Sequence, residues 1–161
     1  MKQKCSIRTP LGEMIAAVEL DSLCGLWFVG QKYVPEDIRN WKQNEDHPLL
    51  ATLRRQLASY FSGQLRAFDV PLALMGTPFQ MAVWALLRTV PAGNLITYGA
   101  LAKQMAIWQI PSARAVGGAV GHNPISIIIP CHRVVGADGS LTGYAGGLDR
   151  MAALLALEKD Y

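Results

Sequence analysis

The chain has 161 residues, 51% hydrophobic and 17% charged, enough to bury a sizeable core in one or two domains and too apolar for disorder. No apolar run approaches a bilayer span, and Met1-Lys2-Gln3-Lys4-Cys5 lacks the apolar segment of a signal peptide, so no membrane partner is expected. The net charge is +3, with nine Lys/Arg against eight Asp/Glu in residues 1–75 and six against four in residues 76–161; this excludes a strongly basic surface, so any DNA contact rests on few ion pairs.

Residues 1–75 read as a small α/β unit. Thr9-Pro10-Leu11-Gly12 places Pro and Gly as a β-turn prefers and separates a short first strand from Met14-Ile15-Ala16-Ala17-Val18. A turn near Asp21-Ser22 leads to Gly25-Leu26-Trp27-Phe28-Val29, which completes an antiparallel meander. Residues 30–48 are polar, contain Pro35 and Pro48, and read as loop or broken helix. Leu49, Leu50, Leu53, Leu57, Tyr60 and Phe61 recur at helical spacing, with Gly63 as the stop. Nothing in this half points to catalysis. Three cysteines in the whole chain, an odd number, suggest reduced thiols and a cytoplasmic setting.

A boundary falls near Leu74-Met75-Gly76-Thr77-Pro78, giving expected domains over 1–75 and 76–161. Thr77 suits an N-cap, Pro78 the first helical position, and Gln80 completes a capping box for a helix to about Val90. Pro91-Ala92-Gly93-Asn94 then turns the chain, and Thr97 caps a second helix through Leu101 and Met105. A third helix is expected from Ser112 to Gly121. Two short helices joined by a turn fit a helix-turn-helix or an ordinary helical hairpin. In the third helix, Ala113-Arg114-Ala115-Val116-Gly117-Gly118-Ala119-Val120 has one charged side chain among small residues. Consecutive helical glycines cost about 1 kcal/mol each relative to alanine. That cost suits a partner that approaches the backbone closely, either another helix or a DNA groove.

Ile127-Ile128-Ile129-Pro130-Cys131-His132-Arg133-Val134-Val135 places a cysteine and a histidine between two β-branched runs. The runs read as buried extended segments, and Pro-Cys-His-Arg as a turn between them. An imidazole and a guanidinium beside a thiol favour the nucleophilic thiolate. A buried structural cysteine is the competing reading. Neighbouring side chains of an extended segment point to opposite faces, so His132 needs a bend or a bridging water to act on Cys131. Gly136 to Ser140 forms a tight connection, and Gly143-Tyr144-Ala145-Gly146-Gly147 a mobile or closely approached loop. Leu148, Met151, Leu154, Leu155 and Leu157 mark a final helix. Glu158 near its end opposes the helix dipole unless a cation or donor such as His132 is near; otherwise it is a solvated surface carboxylate.

Taken in order, these segments resemble the O6-alkylguanine-DNA alkyltransferases, also called methylated-DNA–protein-cysteine methyltransferases. The resemblance is carried by Thr77-Pro78-Phe79-Gln80, Thr97-Tyr98, Ala113 to Ala119, Asn123-Pro124, Ile129 to Val134, Gly143 to Leu148, and Leu157-Glu158. It implies a ribonuclease-H-like α/β N-terminal domain and a mainly α C-terminal domain with a winged helix-turn-helix-like motif. The expected partner is double-stranded DNA, entered through the minor groove, with O6-alkylguanine flipped out of the stack. Cys131 becomes the irreversible alkyl acceptor, His132 its base through a water, and Glu158 the group that orients the imidazole. The resemblance further gives Asn123 the bracing of the turn and Tyr98 the phosphate and the protonation of the leaving guanine. Arg114 fills the gap in the duplex, with Thr97, Ala113, Ala115 and Gly118 also at the DNA. Val134, Tyr144, Ala145 and Gly146 hold the purine. No cofactor is implied, and a monomer is expected.

Two departures stand out. Ala106 to Pro111 lacks the Gly-Asn-Pro-like turn common in the family, and Ala145 replaces a serine found in some members. Some members bind zinc through two cysteines and two histidines; Cys5 and Cys24 fit, but His47 is the one histidine in residues 1–75, so no complete site is expected. Three rival readings predict otherwise. A non-repairing sensor of alkylated guanine lacks the acceptor cysteine. A cysteine hydrolase turns over and needs an oxyanion hole. A transcription regulator carries more polar base-reading side chains on its recognition helix.

Overall fold

Gly12, at φ +118°, lets strand β1 (Lys2–Thr9) turn directly into β2 (Gly12–Glu19), with Thr9 paired to Gly12. The computed structural model describes residues 1–106 and 113–160. The expected turn beyond Ala106 and the Ser112 helix start lie outside the described residues. β3 (Ser22–Phe28) completes the antiparallel meander, and β4 (Lys42–Gln43) adds a parallel edge to β1, giving the order β3-β2-β1-β4. The polar stretch read as loop or broken helix contains a 3-10 turn, Glu36–Asn40, and a two-residue strand. Met14, Ala16 and Val18 alternate into the core. Helix α1 (Pro48–Phe61) buries Leu50, Leu53, Leu57 and Tyr60 at helical spacing. His47 Nδ1 accepts from Leu49 N at α1's start, while Nε2 lies 3.1 Å from Leu20 O.

Helix α2 (Pro78–Leu87) has the Thr77/Gln80 capping box expected of it but ends before Val90, with Arg88 as its C-cap. Strand β5 (Ile96–Thr97) precedes α3 (Tyr98–Gln104), whose first turn is capped by Thr97 Oγ1 accepting from Ala100 N. Helix α4 (Ala113–Gly121) packs on α2 and α3. Trp84 Nε1 ties α2 to α4 by donating to Ala119 O. A 3-10 turn, Cys131–Arg133, leads into β6 (Val134–Val135), which pairs in parallel with β5. Helix α5 (Leu148–Glu158) closes the fold. The two-part architecture is the expected one: a mixed sheet unit with α1, followed by a mainly helical unit. No helix of the described residues is long and apolar enough to cross a membrane.

The two parts meet along the outer edge of β3. Leu26 N donates to Pro124 O, and Ser126 N donates to Leu26 O, both at 2.9 Å. Residues 124–126 are thereby held as a short extension of the sheet. The run after them is not the extended segment its β-branched residues suggest. Ser126 O accepts from Ile128 N across Ile127, whose φ is +73°, a γ-turn of the rare positive-φ kind. Ile129 O accepts from Cys131 N across Pro130, whose φ −84° and ψ 64° form the commoner inverse γ-turn. Tertiary hydrogen bonds therefore override β propensity, and two tight turns in succession deliver Cys131.

Candidate active site

Asn123 holds this double turn from inside. Its Oδ1 accepts from Ile125 N at 2.9 Å, and its Nδ2 donates to Ile129 O at 2.7 Å and to Cys131 Sγ at 3.0 Å. The thiol is 6% exposed. Burial pushes it up to about 11, against the hydrogen bond from Asn123 and those from backbone amides. This corrects the expectation of a thiol held ionised by its sequence neighbours: the resting group is a neutral thiol.

Arg133 is turned away from it. Its Nε and Nη2 donate to the two oxygens of Glu158 at 2.8 and 2.9 Å, and its Nη1 donates to Val90 O at 2.6 Å. Glu158, 1% exposed, is therefore no solvated surface carboxylate. Its Oε2 also accepts from Tyr60 Oη at 2.5 Å and lies 2.7 Å from His132 Nε2. Burial opposes its charge, but hydrogen bonds from Arg133, His132 and Tyr60 outweigh burial and hold the carboxyl at about 2. An ionised carboxylate assigns a proton to Nε2 of the facing imidazole. Burial lowers the pKa of His132, so the ring rests neutral with Nδ1 as its lone-pair atom. That Nδ1 is buried without a hydrogen-bond partner among the described residues. The constellation is a neutral thiol, a neutral imidazole with a free acceptor, and an ionised carboxylate behind it.

The other expected residues lie on β5, α3, α4, β6 and the loop before α5. Tyr98, at the start of α3, is half-buried, and its Oη donates to Thr142 O at 3.3 Å. Burial and the nearby Cys131 raise its pKa, so the phenol keeps its proton. Tyr144 is buried with its hydroxyl unpartnered among the described residues, its ring edge-on to His132 at 6.4 Å. Gly146 sits where a Cβ would come within 2.6 Å of the Tyr144 ring, so the loop closes only over glycine. Val134 is buried in β6 and Ala145 is half-buried. Thr97 is half-buried, with its hydroxyl engaged in the α3 cap. On α4, Ala113, Arg114 and Gly118 are exposed and Ala115 is half-buried. A Cβ on Gly118 would meet nothing within 4 Å, and one on Gly117 only Tyr98 at 3.9 Å. Among the described residues, no helix presses closely on the Gly117-Gly118 face of α4.

A family model described as the 6-O-methylguanine DNA methyltransferase DNA-binding domain matches residues 78–160, and one for the ribonuclease-like domain of the same methyltransferase matches residues 4–74. The chain belongs to this family. It is 46% identical to a methylated-DNA–protein-cysteine methyltransferase of Mycolicibacterium paratuberculosis over 96% of its own length and 90% of the relative's. It is 41% identical to one from Haemophilus influenzae, over 94% and 83%. Among solved structures, Mycobacterium tuberculosis OGT in complex with DNA is 43% identical, with TM-score 0.89 over 98% of this chain and 93% of that one.

Sequence reasoning toward this methyltransferase site missed three contributions. Tyr60 comes from α1, in the half that carried no chemical motif, yet its hydroxyl reaches Glu158. The signal was available: a phenol on the buried face of a helix needs a partner for its O–H. Leu26 in β3 holds the turn through backbone bonds, which no side-chain pattern reveals. Arg150 ties the loop to the sheet unit, its Nε donating to Leu11 O at 2.9 Å, its Nη1 to Gly146 O at 3.1 Å, and its guanidinium lying over Phe28.

Proposed function

We propose that this protein, a DNA-repair methyltransferase by family, transfers the alkyl group of O6-alkylguanine in double-stranded DNA to Cys131 Sγ, once per molecule. The observation that carries this reading is the Asn123-held thiol beside an imidazole whose Nε2 faces an ionised Glu158 and whose Nδ1 is free to accept. A saturated carbon requires a soft nucleophile, and the neutral thiol becomes one only by losing its proton during the reaction. That proton passes to His132 Nδ1 through a bridging water, and Glu158 stabilises the resulting imidazolium. The Sγ–C bond forms as the C–O6 bond breaks, and the electron pair leaves on guanine. Tyr98 Oη–H donates a hydrogen bond toward that developing charge, and in the net balance the thiol's proton ends on the freed guanine while His132 returns to its neutral form. The product is a thioether with no low-barrier return, which explains the single turnover.

The DNA contact proposed is the exposed face of α4, laid in the minor groove. Its missing Cβ atoms permit close approach, and Arg114 fills the space left by the extruded guanine. Val134, Tyr144, Ala145 and Gly146 form the purine pocket. The proposed unit is a monomer in the cytoplasm, where Cys131 stays reduced. The division of labour proposed follows the junction at residues 75–76. Intact-mass measurement with duplex DNA holding one O6-methylguanine tests the reading. One CH2 is added per protein, and peptide mapping places it on Cys131. No adduct, an adduct elsewhere, or more than one equivalent of repaired DNA per protein overturns it.

A further inference from the structure

A groove of about 520 Å³ runs between α4 and the loop 141–148, with a tip of the N-terminal unit also in its lining. The tip is Lys32-Tyr33. Tyr33 has φ +66°, a conformation that a non-glycine residue holds only where its surroundings impose it. Here Gln31 Oε1 accepts from Phe28 N at 2.8 Å, and Lys32 N donates to Ala145 O at 3.4 Å. The result is a phenol ring stacked on His122 just beyond α4, centroids 4.0 Å apart and planes at 28°. His122 is itself held by Nδ1 at 2.7 Å from Gly118 O. Yet Tyr33 remains 58% exposed. Two aromatic rings, one from each half of the chain, are thus pre-stacked with a free face at the opening of a groove. That groove has Lys32 at its rim and no acidic residue in its lining among the described residues.

We propose that the Tyr33–His122 pair is a platform on which a nucleotide of the damaged strand stacks, so that the N-terminal unit contributes directly to DNA binding. The groove's other wall is the Gly117-Gly118 face of α4 and its far side carries Tyr144, so the platform is continuous with the proposed base pocket. Every base presents a π-face, so stacking serves any neighbouring sequence, while Lys32 meets the adjoining phosphate. The inference rests on the DNA reading above but is separable from the alkyl transfer.

The test uses the full chain and a fluorescein-labelled duplex with one O6-methylguanine. In the Cys131→Ser background, Tyr33→Ala weakens duplex binding about tenfold, the low end of what stacking one base on an aromatic ring contributes. Tyr33→Phe, which keeps the ring, restores it. In the reactive protein, Tyr33→Ala lowers the ratio of transfer rates from duplex and from free O6-benzylguanine by about the same factor. Unchanged duplex binding in Tyr33→Ala, or equal loss in Tyr33→Phe, overturns the platform. So does an equal slowing on both substrates, with circular dichroism confirming the fold in each case. A wild-type chain that binds duplex through Tyr33 but never acquires an adduct leaves the platform standing and removes the transfer reading instead.

Discussion

The surroundings of Glu158 and the outer face of α4 are opposites. Around Glu158, three side chains from two segments, Tyr60 of α1 and His132 and Arg133 of the 3-10 turn, converge on one carboxylate, all buried, and each donor is engaged inside the protein. On α4, Arg114 stands exposed over a helix face whose glycines touch almost nothing. On the proposed function, the difference separates chemistry from recognition. Groups that must stabilise charge in a reaction are fixed before the substrate arrives, so that no reorganisation is needed at the moment of reaction. Groups that meet a duplex find their partners only in the complex. Variants in the two regions should therefore fail in different ways.

The largest expected effect is Cys131→Ser: adduct formation is lost entirely, while affinity for O6-methylguanine duplex, measured by fluorescence anisotropy, stays within about threefold because the exposed face of α4 is untouched. A large loss of affinity would join the two regions that the comparison separates. Next is Glu158→Gln. It leaves Arg133 buried beside a neutral amide, and breaking a buried ion pair costs about 3–5 kcal/mol. Chemical denaturation should show that loss, and single-turnover transfer should slow on duplex and free base alike. Tyr60→Phe removes one hydrogen bond to the carboxylate and should lower stability by about 1.5–3 kcal/mol in the same assay. A Tyr60→Phe protein as stable as wild type would detach α1 from the site.

Legibility from sequence follows the same division. The α2 cap, the α1 stripe and the small face of α4 were readable because local chemistry decides them: Thr77 and Gln80 cap whatever lies beyond, and Leu50, Leu53 and Leu57 share a face by period alone. The centre was readable in its residues but not in its geometry. Ile127 to Ile129 carry β propensity, yet the edge of β3 and the Asn123 side chain force a γ-turn through Ile127. Arg133 is adjacent to the thiol in sequence, but the 3-10 turn directs it to Glu158. β4 escaped notice because two polar residues, Lys42 and Gln43, carry no alternation to read. What was hidden in each case depends on partners distant in sequence.

Arg114→Ala sharpens the comparison from the other side. Extruding a base costs a few kcal/mol of lost stacking and pairing, and a side chain that occupies the gap offsets part of it. Transfer from duplex should slow by roughly tenfold or more, the equivalent of about 1.4 kcal/mol, while transfer from free O6-benzylguanine and the denaturation midpoint stay as in wild type. Equal slowing on both substrates would place Arg114 in the fold or the chemistry rather than in recognition.

A pH dependence of stability reads the thiol itself. The folded-state pKa of Cys131 is raised to about 11, so between the ordinary thiol value and that figure the folded chain binds a proton that the unfolded chain releases. Its contribution is fully present below the ordinary thiol pKa and is lost as pH rises toward about 11. Glu158 has the opposite sign: held at about 2, it contributes above the ordinary carboxylate pKa, and that contribution is lost as pH falls through its folded value. Denaturation midpoints should therefore decline on both limbs, the alkaline one by on the order of 2 kcal/mol from this thiol. Only the alkaline limb should respond to reaction at the centre. A methylated Cys131 has no proton to lose, so the alkylated protein, like Cys131→Ala, should show a shallower alkaline decline than the free thiol form, with the acid limb unchanged. An alkaline limb of equal depth in all three forms would mean that Cys5, Cys24, Tyr98 and Tyr144, whose pKa values burial also raises, set it instead.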